Sequence, residues 1–392
     1  MKVLRWGLIV VTILAGLTGT WRLAGPRPDV EVGAVKQLHF LRGAIEDGAD
    51  RQAQGLFPEG YFFLNVLYGL TWVQVATARP EYEAEAVREA RWSLDRLQST
   101  DGTAPFTRQL DPPYGIFHAG WTNWLRGAIA TLDSSAMNEF TQSSIEIAKA
   151  FDASASPFLM AYPGQAWPVD STVAIASLAL HDRITTPRFT QSRSRWLDLV
   201  RQRLDPGTGL MPHQAEPGPT GARATSQSII QRFLPEIDRE FARSQYQLFR
   251  DKFVVGSAPG VREFPKGLSG SGDVDSGPLV LGISLSATVV TAGAARIQGD
   301  PLEGALMRVG EVVGAPITGL TTKRYAFGLL PVGDAFLAWS ATARSPGSST
   351  ADSPSVHHLT WWWRLPWLLL CWLPALLLAL VILVRKRTRV HT

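Results

Sequence analysis

The chain has 392 residues, 45% hydrophobic and 18% charged, which is ample for a large core. Nine of its 38 Lys and Arg lie in the tails (Lys2, Arg5, Arg22, Arg27, Arg364, Arg385, Lys386, Arg387 and Arg389), while all 34 acidic residues fall between Asp29 and Asp352. The net charge of +4 is therefore a membrane-topology signature over an acidic central region, nucleic acid is not an expected partner, and one cysteine (Cys371) with seven scattered His offers no disulfide, metal site or cofactor chemistry.

Met1 to Arg5 is a short positive start, and Trp6 to Trp21 is apolar and uncharged. This pattern fits a cleaved signal peptide or a retained signal-anchor; Ala24-Gly25 is a poor cleavage site, which favours an anchor over residues 1–24. After the polar spacer Gly25 to Val30, Glu31 to Leu56 reads as one helix. Four segments then begin 55 residues apart: Pro58-Glu59-Gly60-Tyr61, Pro113-Tyr114-Gly115-Ile116, Pro168-Val169-Asp170-Ser171 and Arg223-Ala224-Thr225-Ser226. Asp273-Val274-Asp275-Ser276 follows after 50 residues and Pro331-Val332-Gly333-Asp334 after 58. Each precedes an apolar, helix-like run. In the fifth, Asp and Ser are good N-caps and Pro278 suits a first turn, so a helix start is expected where the loop Gly267 to Gly272 ends.

The second helices, such as Glu81 to Leu97 and Pro187 to Leu204, are amphipathic, with Trp92 and Trp196 as core residues. Each leads into a turn and a short extended piece: Asp101 to Phe106, Asp205 to His213 and, more loosely, Pro259 to Pro265. A repeat of this length is one supersecondary unit, here an αα-hairpin. The expected fold is all-α: about six hairpins over residues 25–344 closing into an α/α toroid, with Glu31 to Leu56 as the outer helix that completes the ring. An open solenoid is the alternative.

A Ser/Pro linker is expected over 345–360. Leu365 to Val384 is then long and apolar enough to span a bilayer, with Pro366 and Pro374 tolerable and Trp361, Trp362, Trp363 and Trp367 as an interfacial belt. The basic residues from Arg385 onward place the C-terminus in the cytoplasm, so 361–392 reads as a transmembrane helix and tail. With the N-terminus also inside, the central domain lies outside the cytoplasmic membrane, tethered at both ends.

If the ring closes, its inner-helix starts bring together Glu59, Asp170, Asp273 and Asp275, with Tyr61, Tyr114 and Arg223 nearby; Asp334 lies in the weakest copy. Facing carboxylates are what glycoside hydrolysis needs, one to give a proton and one to activate water or attack the sugar carbon. Crowding raises one pKa, as an acid catalyst requires. Tyr162 and Trp167 before Asp170, and His118 and Trp121 after Tyr114, offer rings for sugar stacking. The competing account is that acids at helix N-termini serve capping and the helix dipole. The candidate catalytic set is Glu59, Asp170 and Asp275; the candidate substrate contacts are Tyr61, Tyr114, His118, Trp121, Tyr162, Trp167, Arg223 and Asp273.

Ser271-Gly272-Asp273-Val274-Asp275 resembles the Asp-Gly-Asp-x-Asp helix start of glycoside hydrolase family 8. Phe57-Pro58-Glu59-Gly60-Tyr61 is similar to that family's Ser-Glu-Gly segment. The resemblance implies an (α/α)6 toroid acting on β-linked polysaccharides, with Glu59 as the acid and Asp275 as a subsite carboxylate or the base. At fold level the chain also resembles toroid lyases, unsaturated-uronide hydrolases and linalool dehydratase/isomerases; the last use cysteines, which the central domain lacks. The expected activity is hydrolysis of an envelope glycan. The alternatives are a non-catalytic glycan- or lipid-binding envelope protein, and a lyase or isomerase using Tyr61, Tyr114 or His118.

Overall fold

Helices without a polar face have no side to give to water and must be enclosed, whereas helices with one polar face lie outside them. Helices buried on nearly all sides and helices buried on one face alternate in the computed structural model, which describes residues 2–256, 259–347 and 359–390; the helix Ala224–Ile237 is enclosed although it carries Gln227, Gln231, Arg232 and Glu236. The chain runs α1 (Lys2–Ala24), α2 (Val30–Glu46), α3 (Ala49–Leu56), α4 (Gly60–Ala78), α5 (Glu83–Gln98), α6 (Thr100–Thr103), α7 (Gly115–Ala130) and α8 (Met137–Ala153). It continues with α9 (Pro168–Ile184), α10 (Thr190–Arg201), α11 (Ala224–Ile237) and α12 (Arg239–Phe253). The antiparallel strands β1 (Val254–Val255), β2 (Gly260–Arg262) and β3 (Ile283–Ser284) come next, then α13 (Leu285–Ile297) and α14 (Leu302–Val313). The hairpin β4 (Ile317–Thr318) and β5 (Lys323–Arg324), α15 (Pro331–Ala341) and α16 (Leu365–Val390) complete an all-α protein.

The six enclosed helices are α4, α7, α9, α11, α13 and α15. Their contacts are cyclic: α4 packs on α7, α7 on α9, α9 on α11, α11 on α13, α13 on α15, and α15 on α4. Each has an amphipathic partner outside it, α5, α8, α10, α12, α14 and α2 in the same order. The axis is filled. Trp121 of α7 meets Phe233 of α11 and Trp339 of α15, with ring centroids 5.3 and 5.8 Å apart, although none of these helices are neighbours in the cycle. Phe63 and Phe336 extend the cluster.

Three expectations need correction. The helix expected over Glu31 to Leu56 is two, because Gly48 takes a left-handed φ of 89° that ends α2 and starts α3. The piece expected to be extended at Asp101 to Phe106 opens with the turn α6, whose start is capped by the Ser99 hydroxyl accepting from the Gly102 amide at 3.2 Å. The fifth enclosed helix starts at Leu285, not at Asp273 to Ser276, and its cap is Ser284. The linker expected at 345–360 falls mainly on 348–358, outside the described residues.

The terminal helices pack on each other. Gly16 and Gly19 give α1 a flat strip on which Trp372 and Cys371 of α16 lie, and the Trp372 indole donates to Thr20 at 3.0 Å. Trp6–Ala24 and Trp361–Leu383 are each long and apolar enough to cross a membrane. The end of α1 is fastened to α14: Arg22 donates to the carbonyls of Glu311 (3.1 Å) and Pro316 (3.0 Å), Arg308 to those of Arg22 and Gly25, and Arg27 pairs with Glu303.

Candidate active site

The N-terminal ends of the enclosed helices lie together, and the acids gather there. Glu59 is the N-cap residue of α4, but its side chain makes no capping bond. Its carboxylate instead accepts a hydrogen bond from the Tyr162 hydroxyl. Tyr162 stands on a tight turn closed by the Gln165 amide (2.9 Å), and that turn lies on the start of α7. Gly115, at φ 80°, permits this: a Cβ there would collide with the Ala161 carbonyl. The Tyr162 ring stacks on Phe106, with centroids 5.7 Å apart, and meets Trp167 edge-on at 6.1 Å.

Asp170 is in the first turn of α9, behind Pro168, and is buried. Its carboxylate has no hydrogen-bond or ion-pair partner among the described residues. Burial pushes its pKa well above the usual carboxylate range, and the charges of Glu59 and Asp275 push it further. Asp275 lies on the connection before α13, open to solvent on one side and densely surrounded on the other. Desolvation, Asp273 and Glu59 raise it to about 6, against the pull of Arg223. Burial and then Glu59, Asp170 and Asp275 push the Tyr162 hydroxyl far up as well. The three carboxylates proposed from the sequence thus share one electrostatic neighbourhood.

Asp273 is tied into the structure next to it. It accepts from Arg223 at 2.6 Å and from the Ser276 amide at 3.0 Å. Partial burial pushes its pKa up, but these two partners pull it below the ordinary value. Arg223 also holds Glu263 at 2.8 Å, a fully buried acid that Thr225 supports. One guanidinium nitrogen of Arg223 (Nη2) and one oxygen of Glu263 (Oε2) are buried without a partner among the described residues. Glu263 escaped the sequence reading. Its only trace is its place on the same face as buried Val261, two residues before it, in the extended piece Pro259 to Pro265.

Four expected contacts do not join the cluster. Tyr61 is buried, with Arg96 over its ring at 5.2 Å on the side of α5. His118 is buried among Phe62, Phe106 and Tyr114; burial lowers its pKa to about 4, and its Nε2 lies 3.2 Å from the Leu97 carbonyl. Trp121 belongs to the axial cluster. Tyr114 is half-buried under Arg108, at a left-handed φ of 68° before α7. Among the described residues no group of three or more His, Cys, Asp or Glu is placed to hold a metal.

Raised carboxyl pKa values have a sign for stability. The folded state keeps a proton that the unfolded chain has lost, so stability falls as pH rises from about 4 through the folded pKa. Asp170→Asn and Asp275→Asn are therefore expected to raise the melting temperature at pH 7, with the gain vanishing below about pH 4. Calorimetry from pH 3.5 to 8 measures this; a gain that persists at the acid end would mean that proton linkage is not its cause. The chain matches no protein-family model and no curated protein.

Proposed function

We propose that the protein is a membrane-anchored α/α toroid enzyme that hydrolyses a glycan outside the cytoplasmic membrane. The observation that carries this reading is the mutual influence of Glu59, Asp170 and Asp275, none of them held in a helix cap or ion pair among the described residues. The cyclic order of the enclosed helices supports the toroid. The basic segment after Leu383 supports cytoplasmic termini.

In this reading Asp275, with a pKa near 6 and open to solvent, gives the proton to the leaving oxygen. Glu59, whose carboxylate is oriented by Tyr162, activates water or attacks the sugar carbon. Burial and the charges of Glu59 and Asp275 favour the neutral form of Asp170, which limits the negative charge of the cluster. The resemblance to family 8 implies the acid role for Glu59; the electrostatics favour exchanging the two roles. Trp167 and Tyr162, both half-buried, are the stacking rings open to a sugar; Phe106 is buried, stacked on both Phe117 and Tyr162. His118 and Tyr61, buried away from the acids, give no support to a lyase or isomerase.

A non-catalytic glycan-binding role is the second reading, favoured by the aromatic filling of the axis, which confines any ligand to the end of the ring. The deciding experiment incubates full-length protein in detergent micelles with a panel of envelope and plant polysaccharides and measures reducing ends. Release of new ends is the expected result. Glycan binding without release would move the assignment to the second reading.

A further inference from the structure

The same end of the ring carries an unusual surface. Outside the terminal helices and the Trp pair before α16, the large apolar side chains left exposed, with Val32 as the exception, lie in the connections at the acid-bearing end or beside it. Leu281 is 90% exposed, Leu320 95%, Leu329 81% and Phe327 68%, with Leu268 and Val280 beside them in sequence. They come from two connections, those before α13 and α15. Large apolar side chains left this exposed, clustered in two connections at one end of the ring, mark a contact with another phase or partner.

The fastening of α1 says which. Arg22 reaches Glu311 and Pro316, at and just past the C-terminal end of α14, whereas Arg27 reaches Glu303 near its start. The chain therefore descends α14 towards its N-terminus. The body of α1, before Arg22, leads away past the C-terminal end of α14. Outer helices end where enclosed helices begin, so α1 and its partner α16 project from the acid-bearing end. Arg22 is also in the last turn of the apolar stretch Trp6–Ala24. Pro316, bonded to it, opens the connection that carries Leu320, Phe327 and Leu329 and so stands level with the end of that stretch.

We propose that this apolar rim seats in the outer interface of the bilayer that α1 and α16 cross, so that the cluster of Glu59, Asp170 and Asp275 faces the lipid headgroups. The occupant of the rim is lipid. A segment seated this way sits about 5–10 Å into the headgroup and acyl boundary. The proposal rests on the terminal helices crossing a membrane but not on the hydrolase reading.

The test uses the full chain with Cys371→Ser, reconstituted in phosphatidylcholine–phosphatidylglycerol vesicles. Single cysteines at Leu281→Cys, Phe327→Cys and Leu329→Cys, and at Thr186→Cys on the opposite end as a control, carry an environment-sensitive fluorophore. Nitroxide placed high on the acyl chain is expected to quench the rim labels at least about twofold more than the Thr186 label, as shallow insertion requires. Rim labels quenched no more than the control, in protein that stays with the vesicles through an alkaline wash, would overturn the proposal. Loss of the protein in that wash would overturn it through its premise, the crossing helices. Neither readout involves turnover, so a failure of the hydrolase reading is visible separately.

Discussion

Glu59→Gln is expected to lower glycan turnover by about 10²–10⁴-fold, the range lost when a positioned acid or base is removed. The substitution keeps the side-chain volume, and its amide oxygen still accepts from Tyr162, so the fold and the turn beneath it are retained. Asp275→Asn should fall in the same range. The two losses should not add, because both groups serve one step. The pH profile separates their roles: kcat/KM should decline as pH rises through about 6, where Asp275 loses its proton. Tyr162→Phe removes one hydrogen bond to a carboxylate, about 1.5–3 kcal/mol, and should cost about 10–100-fold. Asp170→Asn mimics the protonated acid and should leave turnover within a few-fold. Reducing-end kinetics, with circular dichroism as the folding control, give all four values. Unchanged turnover in both Glu59→Gln and Asp275→Asn would remove these carboxylates from the mechanism.

Trp121→Ala is expected to destabilise the fold by about 3–5 kcal/mol, as buried Trp or Phe truncations do. Trp121 is 1% exposed and meets rings from three other helices, so the space left behind cannot collapse without moving Phe233 and Trp339. Against a typical total of about 5–15 kcal/mol, that is a large share. Thermal unfolding in detergent, followed by near-ultraviolet dichroism, measures it. A Trp serving as a sugar platform would behave differently: stability within about 0.5 kcal/mol and weakened glycan binding. That outcome would return Trp121 to the site.

Five of the six enclosed helices were legible because each begins at the first, second or third residue of a Pro- or Arg-led start, and that local signal survives folding. The sixth was misplaced for a physical reason. The Asp273 amide donates to the Ser276 hydroxyl and the Ser276 amide to the Asp273 carboxylate, at 2.9 and 3.0 Å, which is reciprocal capping with no helix behind it. Gly277, Leu281 and Gly282 then take positive φ, and the conformation of Leu281 has no trace in its residue type. The acids at the start of α4 and α9 were legible as helix-start residues, Glu59 as an N-cap and Asp170 in a first turn. The bond between Glu59 and Tyr162 spans 103 positions and leaves no local pattern. His118 and Trp121 lie apart from the acids, which the sequence could not show because α7 is buried along nearly its whole length, so its periodicity does not separate the axis from the rim.

The cyclic packing also orders events during synthesis. α2, made first in the domain, finds its place only between α4 and α15, and Arg344, after α15, bonds Glu31 across 313 positions. A nascent chain that has emerged as far as α13 is an open arc with two bare apolar edges. Contacts of such sequence separation form slowly, and partly made intermediates of large domains expose surface that aggregates. In the proposed topology, tethering by α1 from the outset would keep that arc beside the membrane, and the last hairpin both closes it and precedes α16.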